Sequence, residues 1–155
     1  MMRTLSLVSF LFAVLGGGAF ADTVAFVGPA GWSHSPPSGA TDPQRTVDQW
    51  HISGDISTLT FIKDSATAYA DALGAVEKNI TTNNIKTSAN RDMPCRGATA
   101  HVFEFAYGPD GHRIVINRLI VPDGPGIDTV TYARSEGSPF DPDVKTSETT
   151  FCAAS

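Results

Sequence analysis

The chain has 155 residues, a net formal charge of −5 and only two cysteines. A chain of this length forms one hydrophobic core of ordinary size, which leaves no room for a second comparable domain. The acidic balance, without a run of Lys or Arg, argues against a nucleic-acid partner bound through its phosphates and against attraction to an anionic membrane surface.

Residues 1–21 have the pattern of a secretory signal peptide. After a basic start, residues 5–15 are an apolar run that ends in three glycines, and residues 19–21 (Ala-Phe-Ala) match a signal-peptidase site before Asp22. The apolar run is shorter than the about 20 residues that span a bilayer as a helix. A buried N-terminal helix is the alternative, but the run has no polar face. We therefore expect a secreted or periplasmic protein with no stable membrane insertion after cleavage.

Residues 22–46 are rich in Gly, Pro and Ser. This composition predicts a loop or a loosely held N-terminal arm, apart from a short strand at 24–27. Trp32 lies in the arm, and a side chain of its area is expected to pack against the body of the protein. We expect one small domain to follow, over residues 47–155.

The first half of this domain predicts a hairpin followed by a helix. Two β-rich runs, 47–52 and 58–62, flank a Ser-Gly-Asp turn. Asp64 and Ser65 are then good helix N-caps. Apolar residues follow at spacings of four, three and four, which predicts one buried helical face; they are Tyr69, Leu73, Val76 and Ile80.

The second half predicts further strands and a closing helix. The strands are expected at 85–91, 98–107, 112–121 and 127–133. A Gly-Pro-Asp-Gly turn joins the second and third of them into a hairpin. Asp141-Pro142-Asp143 supplies an N-cap, a Pro at the first helical position and an acid in the first turn, so a helix is expected from there to about Cys152.

The 98–121 hairpin holds the candidate polar pair of a ligand pocket. With Gly108 opposite His112, both faces of the hairpin are largely apolar, which predicts a sheet covered on both sides. Glu104 and Arg118 then share one face within diagonal reach. They are interpreted either as an ion pair that fixes the strand register or as a polar spot in a ligand cavity between sheet and helix.

Cys95 and Cys152 are expected to form a disulfide, because an isolated pair in an oxidising compartment is usually bridged. The bridge would close a loop of about 58 residues, which the chain-entropy model values at about 4 kcal/mol. The alternative, a metal site, needs further ligands, and neither cysteine has a histidine near it in sequence.

Other polar residues give no catalytic or metal-binding motif. His101 and Glu104 resemble an H-x-x-E element, but residues three apart on a strand point to opposite faces. The aspartates lack the spacing of a calcium loop, and turn or capping roles account for them. No cofactor or metal is therefore predicted. The residues considered are His34, His51, His101, His112, Asp123, Asp128, Asp141 and Asp143.

The order of the predicted elements resembles the PsbP-like family, which includes photosystem II extrinsic proteins and bacterial periplasmic relatives such as DcrB. The resemblance covers residues 45–153 and rests on Trp50, Phe61, the helix around Tyr69 and the closing helix that ends in Phe151. It implies an α+β fold, namely an α-β-α sandwich whose antiparallel sheet has helices on both faces. Members are mostly non-enzymatic assembly, stability or binding factors, so no catalytic residues carry over.

These observations predict an exported, non-enzymatic accessory or binding module whose partner is an envelope protein or a small ligand. The alternative is a small extracytoplasmic hydrolase that uses histidine and carboxylate groups. That alternative requires a histidine and an acid that converge in one pocket.

Overall fold

The computed structural model describes residues 25–38 and 42–154. The predicted signal peptide, 1–21, lies outside this part of the chain. Within it there are seven strands and two helices. In chain order these are β1 Ser33–Ser38, β2 Arg45–His51, β3 Thr58–Asp64, α1 Tyr69–Thr82, β4 Lys86–Cys95, β5 Ala98–Tyr107, β6 Ile114–Asp123, β7 Gly126–Ser135 and α2 Pro142–Ala153.

All seven strands belong to one antiparallel sheet, in the order β1-β2-β3-β7-β6-β5-β4. After β3 the chain crosses through α1 to the opposite edge, and β4 to β7 then return as a meander until β7 lies beside β3. At that junction a Cβ on Gly126 would overlap the backbone of Asp64 and Ser65, so the close approach of β7 to the end of β3 requires glycine.

The sheet separates two hydrophobic clusters. We call the side that packs against α2 the α2 face. Its buried residues are Phe26, Trp50, Leu59, Phe61, Cys95, Ala100, Val102, Leu119, Val121, Val130, Tyr132, Val144 and Phe151. The other side, the α1 face, has a smaller and mainly aliphatic cluster of Ala72, Val76, Phe103, Phe105, Ile116, Ile120 and Ile127.

The predicted α-β-α sandwich is wrong. The described chain is mostly a single seven-stranded antiparallel sheet, and its two short helices form no layer on either side. A 14-residue helix is about 21 Å long and about 10 Å wide, whereas seven strands make a sheet roughly 30 Å across. One such helix covers only two or three strands. Elsewhere the α2 face is covered by Phe26, Trp32 and Phe140, while on the α1 face Thr58, Thr60 and Thr131 remain partly exposed.

Part of the predicted N-terminal arm, Ser33–Ser38, belongs to the sheet and is not a loosely held loop. A short strand was predicted at 24–27, but its described residues, 25–27, do not pair with the sheet. Ser33–Ser38 instead pairs with β2 as an edge strand. A Pro-containing strand is tolerated at an edge because its missing N–H has no ladder bond to make there. Phe26 is buried between the rings of Trp50, Phe61 and Phe151.

The predicted anchoring of Trp32 is confirmed. Its ring lies 6.1 Å from that of Tyr132, edge to face, and packs on the α2-face cluster. Gly28 contributes to the same attachment, since a Cβ there would overlap the indole of Trp50.

The helix starts show one correct and one incorrect prediction. Asp141 caps α2 as predicted, because its carboxylate accepts hydrogen bonds from the amides of Asp143 and Val144. Helix α1 begins at Tyr69, later than expected. The carboxylate of Asp64 instead closes a turn by accepting from the amides of Ala66 and Thr67.

Candidate functional site

The predicted pairing of Glu104 with Arg118 is wrong by one residue of register. Glu104 lies opposite Asn117, and Phe103 lies opposite Arg118. The loop between β5 and β6 is longer than the predicted four-residue turn, since Tyr107 pairs with Ile114. A shift of one residue moves every side chain of a strand to the other face. Glu104 is therefore on the α2 face and Arg118 on the α1 face.

The two residues have different partners and line different cavities. On the α1 face the Nε of Arg118 donates to Thr131 Oγ1 at 3.3 Å, and burial lowers the pKa of Arg118 below its ordinary value. On the α2 face Glu104 accepts hydrogen bonds from Ser88 at 2.8 Å and from Arg134 at 3.2 Å. Burial acts to raise the pKa of Glu104, but these two partners outweigh burial and lower it.

Glu104 lines a cleft of about 500 Å³ between α2 and the sheet, which we call the α2 cleft. Strands β4, β5 and β6 form its floor, and the start of α2 with the loop before it forms its wall. The lining residues are Ala89, Arg91, Met93, Val102, Glu104, Asn117, Leu119, Phe140, Pro142, Lys145 and Glu148.

Helix α2 is held at both ends, which fixes the wall of the cleft. Asp141 caps its first turn. At its other end Cys152 is bonded to Cys95 at the end of β4, so the predicted disulfide is confirmed. Arg96 follows Cys95 and donates its backbone amide to the carbonyl of Cys152 at 2.8 Å.

Glu148 is the most unusual side chain of the cleft. It follows the buried Val144 by four residues and precedes the buried Phe151 by three, so it lies on the inward face of α2. It is 9% exposed, and its Oε1 has no hydrogen-bond partner within the described chain. Burial raises the pKa of Glu148 from 4.5 to about 7, against the opposing effect of the Lys145 charge. The carboxyl group therefore changes its protonation near neutral pH.

Two cations stand at the cleft without an ion-pair partner among the described residues. Arg91 on β4 and Lys145 on α2 are both exposed, and neither lies within salt-bridge distance of a carboxylate there. Arg134, by contrast, is buried and paired with Glu104. Its guanidinium packs over the rings of Tyr132 and Phe140 at 5.6 and 5.4 Å. The α2 cleft thus combines apolar walls, a neutralised Glu104–Arg134 pair, two free cations and one buried carboxyl.

The histidines lie elsewhere. His101 is on the α1 face, where Nδ1 is 2.6 Å from Asp92 and Nε2 is 2.7 Å from Asn90. Both ring nitrogens are therefore engaged, and neither is available to a substrate. His34 contacts Asp48 at 2.8 Å and stacks on Trp50, while His51 and His112 are exposed.

Two of the acidic residues considered for calcium, Asp123 and Asp128, lie together, but they share an ion-pair network with Lys63 and Arg96. Asp128 is buried and binds Arg96 at 2.6 Å, while Asp123 binds Lys63 at 2.5 Å. Burial raises the pKa of Asp128, and the charges of Lys63 and Arg96 act against that rise. Across 25–38 and 42–154, no group of three or more His, Cys, Asp or Glu side chains is placed to hold a metal ion.

Two features bear on the location of the protein. The disulfide is compatible with an extracytoplasmic location. No helix in the described part of the chain is long and apolar enough to cross a membrane.

Comparison with known proteins gives little further information. No family model and no curated protein matches the chain. One solved structure, a Pseudomonas aeruginosa protein of unknown function, PA94, described as a putative regulator, is similar with 14% identity and a TM-score of 0.42. The match covers 77% of this chain and 76% of that one, but at this TM-score it establishes no shared fold. The resemblance to PsbP-like proteins stays a prediction.

Sequence reasoning missed Glu148, Arg91, Lys145 and Arg134. A signal for Glu148 was present, since residues 144, 148 and 151 have the spacing of one helical face. The other three could not have been found, because their position at the cleft depends on the strand register and on where α2 docks.

Proposed function

We propose that this protein is an exported, non-enzymatic module that binds a small organic ligand in the α2 cleft. The buried carboxyl of Glu148, facing a cavity of about 500 Å³, carries the proposal. Small-ligand sites typically have volumes of about 300–1,000 Å³, with mostly apolar walls and a few polar groups that fix orientation. The α2 cleft has a volume in this range, and six of its eleven lining residues are apolar.

An unpartnered buried carboxyl is a reason to expect a ligand. Leaving a buried polar group without a hydrogen bond costs about 1–3 kcal/mol, and an apolar side chain on the inward face of α2 would avoid this cost. A ligand group in the cleft would supply the missing partner of Glu148 Oε1. A carboxyl group in a cleft whose pKa is strongly raised by burial is a candidate functional residue.

The positions and contacts of the histidines favour binding without catalysis over hydrolysis. No histidine is among the residues that line the cleft, and His101 uses both nitrogens for Asp92 and Asn90 on the opposite side of the sheet. The hydrolase alternative requires a histidine and an acid in one pocket, and these contacts give it no support.

Ligand binding can be tested with chain purified from the periplasm or medium of an expressing host, so that processing and the disulfide are those made by the cell. A small-molecule library is screened by changes in the amide spectrum. Binders are then retested on Ala89→Trp, which places an indole in the cleft, and on Thr99→Trp, an exposed β5 position outside the cleft. We expect resonances of residues lining the cleft to shift and Ala89→Trp alone to abolish binding. A folded protein with no binder, or binders unaffected by a folded Ala89→Trp variant, would contradict the proposal.

Export is tested separately by fractionation and N-terminal sequencing. The signal pattern of residues 1–21 leads us to expect an oxidised protein outside the cytoplasm that starts at Asp22. Recovery of the uncleaved chain in the cytoplasm, with Cys95 and Cys152 reduced, would refute export and would leave the cleft proposal standing.

A further inference from the structure

We propose that the ligand of the α2 cleft is an amphipathic carboxylate, with its anionic group between Arg91 and Lys145 and with protonated Glu148 as a hydrogen-bond donor. This inference rests on the proposed ligand-binding function and adds the chemical class of the ligand.

The cations define the preferred charge. Arg91 projects from the edge strand β4 and Lys145 from α2, so the cleft has one cation on its floor side and one on its wall. Neither is neutralised by a carboxylate in the described chain. Glu104 does not offset them, because Arg134 and Ser88 already occupy its oxygens. A ligand with one negative charge would complete this arrangement, whereas a cationic ligand would face two like charges.

Glu148 then has a donor role. The charge that acts on it is that of Lys145 on its own helix; the other polar residues of the cleft lining are Arg91 on β4, Glu104 on β5, which is paired with Arg134 on β7, and the neutral Asn117 on β6. A carboxylic acid can donate its proton to a ligand carboxylate in a short charge-assisted hydrogen bond. An ionised Glu148 could only repel it. The bound anion would therefore hold Glu148 in its protonated form.

The rest of the cleft accommodates an apolar body. Six of the eleven lining residues, from three strands, the loop before α2 and the first residue of α2, present hydrocarbon or aromatic surface to it; they are Ala89, Met93, Val102, Leu119, Phe140 and Pro142. A wholly hydrophilic anion would leave this surface exposed to water, which is unfavourable in proportion to its area.

The test compares three probes with the same hydrocarbon chain, namely octanoate, 1-octanol and octylammonium, by titration of the oxidised protein at pH 6 and pH 8. At pH 6 we expect octanoate to bind at least tenfold more tightly than the other two. At pH 8 its affinity should be about tenfold lower, because Glu148 with a pKa of about 7 is then mostly ionised. Octanoate itself is ionised at both values.

Variants separate the roles of the three groups. Glu148→Gln keeps a donor that does not titrate, so octanoate should bind equally at pH 6 and pH 8. Lys145→Met should weaken octanoate several-fold and leave 1-octanol unchanged. Lys78→Met, on the exposed side of α1, is the matched control for the loss of one positive charge and should change neither affinity.

The outcomes separate this inference from the function on which it rests. Tighter binding of 1-octanol or octylammonium in the cleft, octanoate binding that ignores pH, or a pH dependence that survives in Glu148→Gln would overturn the inference. Failure of all three probes would do the same, even where the library screen finds other ligands. Only the absence of any cleft ligand in that screen would overturn the proposed function as well.

Discussion

Helices α1 and α2 are of similar length and pack against the same sheet, but they are held in different ways. In α1 the buried residues are Ala72 and Val76, with Leu73 and Ile80 packed beside them, and its N-cap Ala68 makes no side-chain hydrogen bond. In α2 the inward face includes the polar Ser147 and Glu148. That helix is capped by a carboxylate and joined covalently to β4.

The difference indicates that the two helices have separate roles. An amphipathic helix such as α1 is stabilised by apolar burial and needs little else. Helix α2 buries a carboxyl group that opposes its docking, and the cap and the disulfide compensate for this. A helix that keeps an unpartnered buried carboxyl beside a cleft needs attachments that do not depend on its apolar face. Stability and the candidate site are thus divided between the two helices.

Removal of the disulfide should have the largest effect. Replacing both Cys95 and Cys152 by Ser frees a 58-residue loop in the unfolded chain, and we expect the free energy of unfolding to fall by about 4 kcal/mol. Denaturant unfolding measures the loss of stability, and amide hydrogen exchange shows which elements of the protein are destabilised. Exchange should accelerate in α2 below the concentration at which the whole protein unfolds, with α1 less affected. Equal acceleration in both helices would contradict a special dependence of α2 on the bridge.

Glu148→Gln should give the next largest effect, a stabilisation whose size depends on pH. The folded protein holds the Glu148 proton more tightly than the unfolded chain, so its stability falls as pH rises from about 4.5 to about 7 and the loss is complete above that range. A difference of this size corresponds to about 3 kcal/mol. We therefore expect Glu148→Gln to be more stable than the parent by up to about 3 kcal/mol at pH 8 and similar to it near pH 4.

The control for this prediction is Glu77→Gln on the exposed side of α1. It removes the same charge without releasing a buried carboxyl, so its stability should follow that of the parent across the same pH range. Identical pH profiles for the two variants would show that the burial of Glu148 has no energetic consequence.

Much of the secondary structure was accessible from the sequence, because local chemistry determines it. The 3.6-residue pattern from Tyr69 to Ile80 predicted α1, and Asp141-Pro142-Asp143 predicted the start of α2. The disulfide followed from the number of cysteines and the predicted export signal. The order of the strands and the sparse helical cover depend on tertiary packing, which the pattern of apolar residues does not specify. The α-β-α sandwich that the resemblance to PsbP-like proteins implied was therefore wrong.

The candidate site was predicted poorly because it depends on register. A register shift of one residue placed Glu104 and Arg118 on opposite faces, and no local signal distinguishes the two registers. A Pro-rich stretch likewise predicted a loop at Ser33–Ser38, where an edge position allows a strand. Glu148 was also missed, although its spacing from Val144 and Phe151 was a local signal that it lies on the inward face of α2.

Truncation of an apolar side chain should affect α1 by an intermediate amount. Val76→Ala removes two buried methyl groups from a residue that is 7% exposed, and about 0.8 kcal/mol per buried carbon predicts a loss of about 2 kcal/mol. Val27→Ala is the matched control, because Val27 is 66% exposed, and it should change the free energy of unfolding by less than about 0.5 kcal/mol. A comparable loss in both variants would contradict the apolar attachment of α1.

The smallest effects should come from the two helix caps, and they should have opposite signs. Asp141→Ala removes two hydrogen bonds to the first turn of α2 and should cost about 1 kcal/mol, measured as a shift in the urea midpoint. Asp143→Ala removes a first-turn charge that makes no capping bond, so it should cost a few tenths of a kcal/mol. Ala68 has the extended backbone of an N-cap, and Ala68→Ser should stabilise α1 by up to about 1 kcal/mol. An unchanged free energy of unfolding for Ala68→Ser, together with a loss for Asp141→Ala, would contradict the expected gain and would show that the N-cap of α1 contributes nothing beyond its apolar face.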